Sequence, residues 1–89
     1  MKKIIKSKFS ENLKQALFLN KMSQQDLAQK LNTTQQTVSR WVKGINEPDY
    51  QKLLEICLCL NETPNFLLGY DEISTIDNKQ NKNQRRKRT

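Results

Sequence analysis

The segment from Ser23 to Gly44, SQQDLAQKLNTTQQTVSRWVKG, constrains this chain more than any other. It reads as two short helices joined by a tight polar turn. Ser23 is a favourable N-cap, and Asp26 three residues later comes close to a capping box, in which each residue satisfies a backbone N–H of the other. Leu27, Ala28 and Leu31 give the first helix one narrow apolar face. Asn32 ends it, since after Gly it is the residue that best tolerates the left-handed conformation of a sharp turn. Thr33 lies in the turn, and Thr34 can cap a second helix over 35–43. Val38, Trp41 and Val42 face inward there, and Gly44 closes the helix. Ala28 has to be small because the two helices cross closely. Outward of the second helix stand Gln35, Gln36, Ser39, Arg40 and Lys43, an unbroken set of hydrogen-bonding side chains.

Length limits what can surround this pair. A chain of 89 residues buries only about 60–65% of its unfolded surface, so one compact core is the limit and a catalytic domain has no room beside it. Phe9, Leu13, Ala16, Leu17 and Asn20 follow helical spacing and predict a first helix over roughly 8–20, with Ser7 or Ser10 available as N-cap. Ile45 to Pro48 form a loop, because Pro48 disfavours helix in the residue before it. Asp49 can cap a further helix in which Tyr50, Leu53, Leu54, Ile56, Cys57 and Leu60 make a wide apolar face, the mark of a helix central to the core. Thr63-Pro64 is an N-cap and first-turn signature, and Phe66, Leu67 and Leu68 before Gly69 make the last helix short and apolar. The expected fold is all-α, a compact five-helix bundle over residues 8–70. An N-terminal arm, 1–7, precedes it, and a C-terminal extension, 71–89, ends in a disordered basic tail whose composition cannot form a core.

The formal charge of +7 points to a polyanionic partner, but it is unevenly placed. Residues 1–77 hold ten Lys/Arg and nine Asp/Glu, and the other six positive charges fall in 78–89. The body is therefore nearly neutral. No apolar run approaches the ~20 residues of a membrane span, and the Met1–Lys6 stretch lacks the apolar region of a signal peptide, so a cytoplasmic protein is expected. Cys57 and Cys59 stand about 200° apart around a helix and cannot share a metal or an unstrained bridge, so both read as buried free thiols. The chain has no His, no nucleophile with a base at hand, no Gly-rich phosphate loop and no clustered metal ligands. We expect no enzyme activity, no metal and no cofactor.

Taken together, Ser23-Gln24, Leu27-Ala28, Asn32, Thr34-Gln35-Gln36, Val38-Ser39, Arg40-Trp41, Gly44, Pro48, Leu53-Leu54-Glu55-Ile56 and Phe66-Leu67-Leu68-Gly69 resemble the Xre family, the helix-turn-helix proteins of phage-repressor and Cro type. The resemblance covers about residues 5–70 and implies a lambda-repressor-like bundle. It also implies double-stranded DNA as partner, the second helix of the motif in the major groove, and a homodimer on two half-sites. Gln35, Gln36, Ser39 and Arg40 are then the base-reading candidates, since Gln bonds bidentately to adenine and Arg to guanine. Gln24 matches a phosphate-binding position aided by a helix N-terminus. Ser23, Thr34, Lys43 and Asn46 are further phosphate candidates, with capping an equal explanation for Ser23.

Two departures from the family pattern stand out. Asn32 replaces the usual turn Gly at a slightly higher backbone cost. Leu17 and Val42 replace an Arg and a Glu that form a largely buried ion pair in many members. Two apolar residues there avoid two desolvation penalties, and the expectation is that their side chains touch. Leu58 lies where this helix normally faces solvent; it is either an isolated exposed Leu or part of a self-association surface with the last helix, Tyr70 and Ile73. The resemblance implies a transcriptional regulator, expected to repress. Its alternatives are an antitoxin or restriction-system controller of the same fold, with an unidentified protein partner, and a protein-interaction adaptor that has lost DNA binding.

Overall fold

A computed structural model describes residues 7–70. The arm residues 1–6 and the extension 71–89, Ile73 and the expected disordered tail among them, lie outside the described residues. Those residues form five helices and no strand: α1 (Phe9–Leu19), α2 (Gln24–Leu31), α3 (Gln35–Lys43), α4 (Tyr50–Leu60) and α5 (Pro64–Leu68). The fold is all-α, as the sequence implies.

Four of the helix starts follow directly from local chemistry. The side chains of Ser23, Thr34, Asp49 and Thr63 each accept a hydrogen bond from the backbone N–H three residues on, satisfying donors that the first turn leaves orphaned. At α2 the capping box is complete: Ser23 Oγ accepts from the Asp26 N–H and Asp26 Oδ2 accepts from the Ser23 N–H, both at 3.0 Å. The start of α1 differs from expectation. Lys8 is the N-cap residue and makes no side-chain cap bond; Ser7 Oγ only receives the Phe9 N–H at 3.4 Å, and Ser10 already lies inside the helix.

The helix ends were only partly foreseen. Asn32 takes the left-handed conformation, φ 59° and ψ 45°, and the Thr33 N–H returns to the Ala28 carbonyl at 2.9 Å. Gly44 does the same for α3, with Ile45 N–H on the Arg40 carbonyl. After α1, however, Lys21 adopts φ 53°, a conformation that costs an ordinary residue about 1–2 kcal/mol. Asn20 braces this corner as the C-cap of α1, its amide nitrogen donating to the carbonyls of Ala16 at 2.8 Å and Leu60 at 3.3 Å.

One apolar cluster unites the helices. Phe9, Leu13, Ala16 and Leu17 of α1 meet Leu27, Ala28 and Leu31 of α2, Val38, Trp41 and Val42 of α3, Ile56, Cys57 and Leu60 of α4, and Leu67 of α5. Asn12 is the one buried polar residue among those described; its amide nitrogen donates to the Phe66 carbonyl at 2.8 Å and ties α1 to α5. Leu17 and Val42 are both buried in this cluster, and α1 packs against α3.

The expectation for α4 needs correction. Its buried side is narrow, holding Ile56, Cys57 and Leu60, with Leu53 partly covered. Tyr50 is 87% exposed and Leu54 48% exposed. The physical reason is that α4 has partners on one side only: it packs on α2 and α5, and nothing described covers its far side. Cys59 is likewise half-buried, while Cys57 is fully buried; both thiols are free. Burial, with Glu62 nearby, raises the Cys57 thiol above its ordinary pKa.

Candidate nucleic-acid interface

The structure brings the candidates together at α2, the turn and α3. The inner side of α3 is held by Val38, Trp41 and Val42, all in the core. Successive residues turn by about 100° around a helix, which places Gln36, Arg40 and Lys43 in the middle of the side opposite that core. Gln35 and Ser39 flank them at one edge and Thr37 at the other. Gln35, Gln36, Arg40 and Lys43 are exposed, whereas Ser39 is half-buried and presents less of itself than an outward position implies. None of the exposed four gives its side chain to a hydrogen bond or ion pair within the described residues.

The phosphate candidates are less uniform. Ser23 and Thr34 are both committed to caps. Thr34 Oγ1 accepts from the Thr37 N–H at 3.1 Å and lies 2.9 Å from Thr37 Oγ1, so any outside contact is shared with that work. Gln24 is half-buried at the first position of α2, and the Asp26 carboxylate lies in the same first turn. That carboxylate is held below its ordinary pKa first by the Ser23 N–H, then by the Ser23 hydroxyl, with Lys30 assisting. It is therefore anionic at neutral pH and offsets part of the helix's positive end. A phosphate here would depend on the Gln24 amide more than on the helix dipole.

Lys43 is exposed on the last turn of α3, and Asn46 is exposed in the loop beyond Gly44, its N–H reaching the Arg40 carbonyl at 3.4 Å. Glu47 and Asp49 follow directly, so this loop carries negative charge beside Asn46. Thr37 is the residue that sequence reasoning passed over; the Thr34-x-x-Thr37 spacing is the signal that links it to the cap. Among the described residues no group of three His, Cys, Asp or Glu could hold a metal. No described helix is long and apolar enough to cross a membrane.

The arrangement has the physical form of a groove reader. A helix about 10 Å across fits a major groove about 12 Å wide. From Gln36 to Lys43 the polar row runs roughly 10 Å along the axis, enough to meet several successive base pairs.

Comparison with known proteins agrees with this geometry. A family model described as helix-turn-helix matches residues 13–67. Over 60 residues the chain is 38% identical to the uncharacterized HTH-type transcriptional regulator YqaE of Bacillus subtilis (strain 168), which takes in 67% of this chain and 52% of that protein. The chain thus spans about half the length of the curated relative it matches. No solved structure matches it. On the family match, with α2, the Asn32 turn and α3 in their places, the chain belongs to the helix-turn-helix family of Xre type.

Proposed function

We propose that this chain is a sequence-specific DNA-binding transcriptional regulator that reads the major groove with α3. One observation carries this reading: Gln35, Gln36, Arg40 and Lys43 project from a helix backed by the core, and among the described residues none of their side chains is spent on a hydrogen bond or ion pair. Gln35, Gln36, Ser39 and Arg40 read base edges, each good bidentate pair discriminating by about 1–3 kcal/mol. Ser23, Gln24, Thr34, Lys43 and Asn46 contact the backbone and set the register. Family membership and the relation to a protein described as a transcriptional regulator support the same assignment.

The chain works as a homodimer in the cytoplasm, on two related half-sites about 34–36 Å apart. Support for the dimer comes from the far side of α4. Tyr50, Leu54 and Leu58, spaced four apart, line one side of that helix and are all exposed, Leu58 at 74%. Tyr70 is a further exposed aromatic residue, beyond α5. A dimer seated on its operator represses by occupying DNA that transcription needs. Selection of bound fragments from random DNA tests the reading. A bipartite enriched motif at moderate salt is expected, and the absence of any enriched motif would contradict it.

A further inference from the structure

The outer side of α1 carries an aromatic residue that the bundle does not use. Phe9, Leu13, Ala16 and Leu17 reach the core. A turn of about 100° per residue then places Glu11, Lys14, Gln15 and Phe18 in one stripe on the opposite side. All four are exposed, Phe18 at 80%, and Leu19 at the edge of the stripe is 60% exposed. Lys21 continues the stripe: its N–H donates to the Phe18 carbonyl at 3.1 Å, which places it one turn beyond Phe18. Among the described residues, none of Glu11, Lys14 and Lys21 gives its side chain to a hydrogen bond or ion pair.

The order of this stripe, acid, base, aromatic, base, is complementary to itself. When two such helices lie antiparallel about a twofold axis at the level of Ala16, each residue meets the one equally far along on the other copy. Glu11 then faces Lys21 of the second copy and Lys14 faces its Phe18, each pair occurring twice. Opposite charges in register attract, as does an ammonium over an aromatic face, and the Lys14 stem covers part of the ring. A parallel pairing would instead set each charge against its own kind. Six side chains from each copy are far fewer than the roughly 20–30 that a stable interface uses. The pairing is therefore too small to hold two free chains together and needs a template that keeps them close.

The position of α1 in the bundle supplies one. The helix contacts form a ring, α1–α3–α2–α4–α5 and back to α1. Helix α1 thus stands beside the reading helix, with α5 between it and α4, and a dimer formed through α4 leaves it free. We propose that the stripe of Glu11, Lys14, Phe18 and Lys21 joins copies of this chain bound at neighbouring DNA sites, α1 against α1, and makes their binding cooperative. The contact is weak by itself and adds to affinity only where DNA holds both copies.

This inference rests on the proposed DNA-binding function, and the test keeps the two apart. The full chain and its variants are titrated by electrophoretic mobility shift on DNA carrying one selected motif, then on DNA carrying two, with the spacing stepped across one helical turn. The ratio of the two affinities cancels any effect of a variant on single-site binding. At its favoured spacing the parent should bind the paired sites about tenfold more tightly per site, a modest coupling. Phe18→Ala should abolish this gain while leaving single-site affinity and the denaturation midpoint little changed, because the side chain is exposed. Glu11→Lys and Lys21→Glu should each lose most of it. The double variant should regain most of it, since the same pairs form with their charges exchanged. No gain for the parent at any spacing, or a gain that survives Phe18→Ala, overturns the α1 pairing. So does a double variant no better than the singles, which would assign the patch to an acidic partner of another kind. If the parent shows no sequence preference on single-motif DNA, the proposed function fails instead.

Discussion

Helices α3 and α4 bury the same number of side chains from very different sequences. Three residues of α3 reach the core, Val38, Trp41 and Val42, and the rest of that helix is polar. Three residues of α4 reach it too, Ile56, Cys57 and Leu60, although Tyr50, Leu53, Leu54, Leu58 and Cys59 are also apolar. Apolar content therefore does not measure how central a helix is; the neighbours that cover it do. In α3 everything not needed for packing is hydrogen-bonding surface. In α4 the surplus is an apolar side exposed to whatever docks there. We read the first as the DNA face and the second as the dimer face, and each can be broken separately.

The largest effect should come from the back of α3. Val42→Glu or Leu17→Arg alone buries an unpaired charge and should cost about 3–5 kcal/mol in urea denaturation. Together they restore an ion pair, and most of that loss should be recovered if the two side chains meet. Strictly additive losses would show that they do not.

On the outer face, Gln36→Ala should leave the denaturation midpoint unchanged while weakening operator binding by about 1–3 kcal/mol. Next comes the entry to α2. Ser23→Ala should cost about 1 kcal/mol of stability. The Asp26 carboxylate that completes this cap is held below its ordinary pKa. Its contribution is thus fully present above the ordinary carboxylate value and is lost as pH falls through the lower folded value. The Ser23 amide resonance, followed by NMR in acid, should report an inflection below the ordinary Asp range.

The smallest effect on folding belongs to α4. Leu58→Glu should change stability by no more than about 0.5 kcal/mol, as an exposed substitution does, yet convert a dimer to monomers in equilibrium sedimentation. An unchanged dimer would remove Leu58 from the interface and reduce the contrast between the two helices to one of composition.

Much of this was legible because it is local. Ser23, Asp26, Asn32, Thr34, Asp49 and Thr63 mark helix ends by chemistry that acts within a few residues, and each acts as its type implies. Positions 38, 41 and 42 follow from helical spacing within one short element. What escaped was non-local or atypical. Exposure of Tyr50 and Leu54 depends on which helices flank α4, and periodicity within α4 does not carry that. Asn12 reads as an ordinary polar residue until the Phe66 carbonyl is brought to it from far along the chain. Lys21 is not a residue type that announces a left-handed turn, and Lys8 is not one that announces a cap. On the candidate site, the outward positions of α3 were readable from spacing. The partial burial of Ser39 and the approach of Ser10 to Gly44 needed the assembled fold.

We propose that the outer side of α3 chooses the DNA sequence. The most direct test repeats the selection from random DNA with Arg40→Ala beside the parent chain. The variant should still enrich a bipartite motif but lose preference at one position, or at two adjacent positions, in each half-site, with the spacing unchanged. Enrichment of the parent motif at every position, undiminished by Arg40→Ala, would contradict it.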